Sequence, residues 1–212
     1  MTPQNYNQAI LALAQTAISE LEQWSEQFKS PRTPAQQSHY LCSWLVEALK
    51  KKRFSKLVAQ DIESWIRMAR SQGAGAQLPK RMQQIVKYYS IAQQSELLGD
   101  QLQSLFAQLE QQDWTVINDT EIDAKLKLNS DGSSSIIACA QELTQGIEKG
   151  ELVKPINLYV RGSETTLASL GLSLGLIFSQ GNKKTSLIKH HKTYQVSPHN
   201  QHANLCLLLL DD

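Results

Sequence analysis

Across the first half of the chain apolar residues return every three or four positions, a period that restricts this region to amphipathic helices. Ile10, Leu13, Ala14, Ala17, Ile18, Leu21, Trp24 and Phe28 form one such stripe, closed by Pro31. Thr33, Pro34 and Gln36 then open a second helix: threonine caps, proline suits the first position and glutamine completes a reciprocal capping box. Its stripe is Tyr40, Leu41, Trp44, Leu45 and Ala48. A third helix from near Ser55 turns Val58, Ile62, Trp65, Ile66 and Ala69 inward and stops by Gly73. A fourth follows Pro79 with Met82, Ile85, Val86 and Tyr89 inward, and a fifth follows Ser95 with Leu98, Leu102, Leu105, Phe106 and Leu109. Five such helices with short joints predict a helical bundle or array over residues 1–112. Trp24, Trp44 and Trp65 are expected to meet in its core.

Beyond Gln112 the grammar changes. Nineteen glutamines lie at or before that point, and short β-type runs follow it. Residues 114–118, 125–129 and 156–160 read as strands, and Ile188, His190, Lys192, Tyr194 and Val196 alternate with their neighbours as one half-exposed strand. Between these runs a helix is expected on Ile136, Ala140, Leu143 and Ile147, and another over residues 164–180, with Gly171 and Gly175 as its close-packing face. Leu205, Cys206 and Leu207 to Leu210 are apolar on both faces, which predicts a central strand covered on both sides. The chain is therefore expected to be α+β: a helical domain over residues 1–112 and a small mixed α/β layer domain over 113–212.

A length of 212 residues with 41% hydrophobic and 19% charged residues suits a folded globular protein. The start lacks the basic and apolar segments of a secretory signal, and the longest apolar run, residues 167–178, is too short to span a bilayer. Cys42, Cys139 and Cys206 are odd in number and set in apolar runs, so they read as buried thiols in a reducing cytoplasm.

The feature that points to a partner is charge. Residues 50–92 hold ten cations (Lys50, Lys51, Lys52, Arg53, Lys56, Arg67, Arg70, Lys80, Arg81, Lys87) against Asp61 and Glu63, while the whole chain carries only +1. Such a local excess attracts nucleic-acid phosphates or an acidic protein face. Lysines at a helix end are also ordinary partners of the helix dipole. Two helices joined at residues 71–76 resemble a helix-turn-helix only loosely, because the joint is long and Lys80, Arg81, Gln83, Gln84 and Lys87 form no base-reading pair.

Catalytic and metal signatures are not evident. Residues 129–135 could hold an anion at a helix start, yet they match neither the phosphate loop nor the dinucleotide turn. His190 and His191 fall on opposite faces of a strand and cannot share one ion, while His199 and His202 lack a supporting ligand pattern. No G-x-S-x-G elbow is present. No cofactor, metal or catalytic residue is assigned.

The segments Ser38 to Leu45, Arg53 to Lys56, Asp61 to Trp65, Ser71 to Ala76 and Leu158 to Gly162 resemble an uncharacterised bacterial family of the domain-of-unknown-function kind. That resemblance implies a bacterial cytoplasmic protein and carries no activity. The resulting expectation is a non-enzymatic binding protein that contacts DNA or RNA phosphates through the basic helices, does not enter a membrane, and has a C-terminal domain that assembles with itself or receives a partner. The alternative is an adaptor for an acidic protein partner. An enzyme acting on nucleotides through residues 129–135 and Arg161 is a third class.

Overall fold

Asn5 and Thr33 each accept a hydrogen bond from the backbone three residues on, and Gln8 and Gln36 return it, so the first two helices begin with complete capping boxes. These are α1 (Tyr6–Glu26) and α2 (Pro34–Lys50). The computed structural model describes residues 5–122, 132–180 and 188–209. A short 3₁₀ turn leads into α3 (Ala59–Gln72), which ends on Gly73 at φ +57°, and a second 3₁₀ turn over Gly73–Ala76 leads into α4 (Leu78–Ala92). α5 (Leu98–Glu110) follows.

The strands are β1 (Thr115–Ile117), β2 (Ser135–Ala138), β3 (Ile147–Glu148), β4 (Glu151–Leu152), β5 (Ile156–Arg161), β6 (Ser179–Gln180) and β7 (Lys192–Val196). Two further helices, α6 (Ala140–Gly146) and α7 (Glu164–Ser173), lie among them. β1, β2, β5, β7 and β6 form one sheet in that order, parallel between β1 and β2 and antiparallel elsewhere. β3 and β4 form a separate hairpin whose turn residues Lys149 and Gly150 both have positive φ. The architecture is α+β, mostly helical first and a small mixed sheet afterwards.

The chain divides into two compact units, one running to Ser90 and the other covering Ile91–Leu209. The helical unit buries Ile10, Leu13, Leu41, Leu45, Trp65 and Met82, among others. The second unit includes α5, which the sequence pattern groups with the helical domain. Leu98, Leu102, Leu105, Phe106 and Leu109 share a core with Ile136, Leu158, Val160 and Tyr194 of the sheet. An amphipathic stripe shows that a helix buries one face, but not against what.

Several expected elements differ. Ile136 lies in β2, not in a helix: all four β2 residues are buried, and the strand pairs with β1 on one side and β5 on the other. Residues 132–135 therefore lead into a strand and supply no helix start for an anion. The helix expected over 164–180 stops at Ser173, because Gly175 at φ +74° lets the Gly175 and Leu176 N–H groups donate back to Leu172 and Gly171. Gly171 does serve close packing, since a Cβ there would lie 2.1 Å from the Phe178 ring.

The long alternating strand begins only at Lys192, because His190 at φ +67° sits in a turn. Leu205 to Leu209, the described part of the leucine run expected at 205–210, do not form a central strand. Cys206 makes an isolated bridge to Ser179, Leu207 donates from its backbone to Phe178, and Leu207 to Leu209 are only half-buried. β5 occupies the centre instead. Residues 125–129 lie outside the described residues. Of the three tryptophans expected to meet in the helical core, Trp65 is buried, whereas Trp24 and Trp44 stand half-buried at the edge of their stripes.

Candidate functional site

α2 exposes a second line of side chains beside its buried Leu41, Leu45 and Ala48. Cys42, Val46 and Leu49 recur at four and three, so they share a face, and α3 packs along it. Two grooves result. A cavity of about 670 Å³ is lined by Ser38, His39, Cys42, Val46, Ala69 and Arg70, among others. The neighbouring one, about 370 Å³, has Val46, Leu49 and Ile66 as its apolar surface and Lys50, Arg67 and Arg70 as its cations, with Glu63 alongside.

The ten cations do not form one uniform surface. Lys50, Arg67 and Arg70 converge on the second groove, and Lys51 and Lys52 follow directly at the exposed end of α2. Lys50 bonds Glu47 at 3.0 Å, which holds the exposed Glu47 carboxyl below its usual range. A pair this open to solvent contributes little and yields to a competing anion. Arg67 and Arg70 are exposed and make no ion pair among the described residues.

Arg53 belongs to the fold. It meets Glu20 at 2.8 Å and lies 5.4 Å from the Trp44 ring and 5.9 Å from Phe54. Arg81 is half-buried, with Nη2 3.5 Å from the Met68 sulfur, and burial lowers its pKa. Lys80 and Gln84 are also half-buried, which leaves only Gln83 and Lys87 exposed among the residues a recognition helix would present. Lys56 is exposed on the turn before α3. Asp61, one of the two acids in this segment, accepts a hydrogen bond from Tyr6 Oη at 2.9 Å, and burial raises its pKa.

The α/β unit brings polar groups together in another way. Ser135 opens β2 opposite Arg161 of β5. Ser135 Oγ lies 2.9 Å from His191 Nε2, while His191 Nδ1 donates to the Lys189 carbonyl at 3.0 Å. That second bond puts the ring proton on Nδ1, so neutral Nε2 accepts from the serine hydroxyl. Burial, with Arg161 and His190 adding to it, lowers the His191 pKa and keeps the ring neutral. Both side chains are less than a tenth exposed, so the pair ties the sheet rather than facing a substrate. His202 is similar: its Nε2 donates to the Ile177 carbonyl at 3.0 Å, and burial pushes its pKa down to about 4.

Among the described residues no cluster of His, Cys, Asp or Glu could hold a metal ion, and no helix is long and apolar enough to cross a membrane. Charge alone singles out Lys50, Arg67 and Arg70 in the sequence, whereas Val46 and Leu49 beside them are given no role there, although the second apolar line on α2 is a usable signal. Neither a curated protein nor a solved structure matches the chain. A family model matches residues 5–209, nearly the whole chain and both units, and by that match the chain belongs to the family described as Protein of unknown function (DUF2913).

Proposed function

We propose that this is a non-enzymatic binding protein whose helical unit takes nucleic-acid phosphates along the α2–α3 groove. The observation that carries this reading is the convergence of Lys50, Arg67 and Arg70 on one groove, with Lys51 and Lys52 beside it. Phosphate contacts act through charge and need no base-edge geometry, which suits cations carried on two helix flanks. Cys42, Cys139 and Cys206 form no disulfide among the described residues, and this supports a place in a reducing cytoplasm.

The test is fluorescence anisotropy of a labelled oligonucleotide at about 50 mM salt, with Arg67→Glu/Arg70→Glu beside the parent protein. Binding by the parent and its loss in the variant is the expected result. Absence of binding by the parent overturns the reading. A second reading, an adaptor for an acidic peptide, draws on the apolar surface of Val46, Leu49 and Ile66. It gains if an acidic amphipathic peptide binds where nucleic acid does not.

A further inference from the structure

The basic groove continues toward the other end of α2, and there it meets aromatic rings. Trp24 of α1 and Tyr40 of α2 lie with ring centroids 4.5 Å apart and planes 12° from parallel, a stacked pair. Phe28 meets Trp24 edge-on at 5.2 Å, and the Arg32 guanidinium sits 4.2 Å from the centre of the Phe28 ring. Trp24 and Tyr40 are half-buried and Phe28 is 40% exposed, so these rings are not consumed by the core.

A cavity of about 510 Å³ opens beside the stacked pair, lined by Trp24, Ala35, Gln36, His39, Tyr40 and Ser43. It shares Ala35, His39 and Ser43 with the 670 Å³ groove, which in turn shares Val46 and Arg70 with the cationic one. The three adjoin in series along the outward face of α2, a furrow of neighbouring depressions. From Ala35 to Lys50 it runs about 22 Å at the helical rise per residue. Small residues such as Ser43, Ala69, Gly73 and Ala74 line its middle and leave room for a chain. Glu47 also borders it, paired with Lys50.

An aromatic end and a cationic end, with a depression adjoining each, match a strand whose bases are unpaired. Base faces are available for stacking in single strands and hidden inside a duplex, and ring stacking plus backbone charge is how single strands are bound without sequence preference. We infer that the furrow holds a short single-stranded segment of DNA or RNA, a base against the Trp24–Tyr40 pair and phosphates at Lys50, Arg67 and Arg70. This inference rests on the nucleic-acid reading above and adds the strandedness of the ligand.

The experiment measures affinity for labelled oligo(dT) and for a duplex of equal length at about 50 mM salt. It compares the parent, Trp24→Leu, His39→Glu and Arg67→Gln/Arg70→Gln, with circular dichroism to confirm folding. His39 is exposed where the aromatic pocket adjoins the 670 Å³ cavity, so its replacement keeps the test valid if Trp24→Leu does not fold. Expected are at least tenfold preference for the single strand, a loss of about tenfold or more of that affinity in Trp24→Leu and His39→Glu, and quenching of tryptophan fluorescence on binding. Equal affinity for both forms, with the arginine variant weakened on both and His39→Glu unaffected on the single strand, overturns the inference and leaves the phosphate reading standing. Failure of the parent to bind either form removes both. Binding of polyglutamate in place of either nucleic acid transfers the furrow to an acidic protein partner and overturns the inference too.

Discussion

In the helical unit the buried polar residues among those described are Asn7 and Ser38, whereas the α/β unit buries Ser135, Thr193, Ser197, Asn200, His191 and His202, among others. The helical unit turns most of its charge outward, and its helices satisfy their own backbone. The α/β unit has short strands and several irregular connections, and a buried connection needs side chains to satisfy its backbone groups. Asn200 shows how this is done. Fully buried at φ +52°, it accepts from Ile177 N–H at 3.2 Å and donates to the carbonyls of Gly175 at 2.8 Å and Ala92 at 3.2 Å. Buried polar groups of the α/β unit are tied into its fold, while the helical unit leaves Lys51, Lys52, Arg67 and Arg70 exposed with no ion pair among the described residues.

The largest effect should come from breaking that structural use. Asn200→Ala strands three buried backbone groups and removes a residue type that tolerates left-handed φ, so it should cost about 3–5 kcal/mol. Urea unfolding monitored by circular dichroism measures it. A cost under about 1 kcal/mol would erase the contrast between the units.

How much of this was legible in the sequence follows the same division. α1 to α4 are readable because helix periodicity and capping are local: Thr33, Pro34 and Gln36 announce α2 from within four residues. The sheet is not local. Ile136 and Ile137 gain strand character from β1 and β5 on either side, and nothing within their own segment names those partners. The leucine run at 205–210 signals burial, but among its described residues Cys206 makes an isolated bridge to Ser179 and Leu207 a backbone bond to Phe178 in place of a full ladder. At the candidate site, charge was visible as composition. The separation of Arg53 and Arg81 from Arg67 and Arg70 was not, because it depends on Glu20 and Met68 reaching them from elsewhere in the chain. Trp24 and Tyr40 were assigned to the core because periodicity gives a direction and not the depth of a ring at the stripe's edge.

A smaller effect is expected from acid. The neutral His202 ring is favoured in the folded state, so the unfolded chain binds more protons below its ordinary pKa of about 6.5. The contribution is complete above that pH and lost as pH falls from about 6.5 toward about 4, on the order of 3 kcal/mol. His191 shifts in the same direction. Thermal melts across this range should show the α/β unit weakening, with His202→Gln flattening the dependence. A parent stability independent of pH between 7 and 4 would contradict the assignment.

The smallest effect belongs to the surface cations. Lys51→Glu/Lys52→Glu should change unfolding free energy by no more than about 0.5 kcal/mol, since both side chains are exposed and make no ion pair among the described residues. A loss above about 2 kcal/mol would show that these lysines serve the fold, as Arg53 does.

Neutralisation of phosphates by the exposed cations of α2 and α3 would register in the salt dependence of oligonucleotide affinity. If Lys50, Lys51, Lys52, Arg67 and Arg70 all engage a single strand, log affinity against log salt should fall with a slope of about −3.5, or about a hundredfold loss between 50 and 200 mM. Neutralising Arg67 and Arg70 together should reduce that slope to about −2. A parent slope near zero, or one unchanged by the double substitution, would contradict the account.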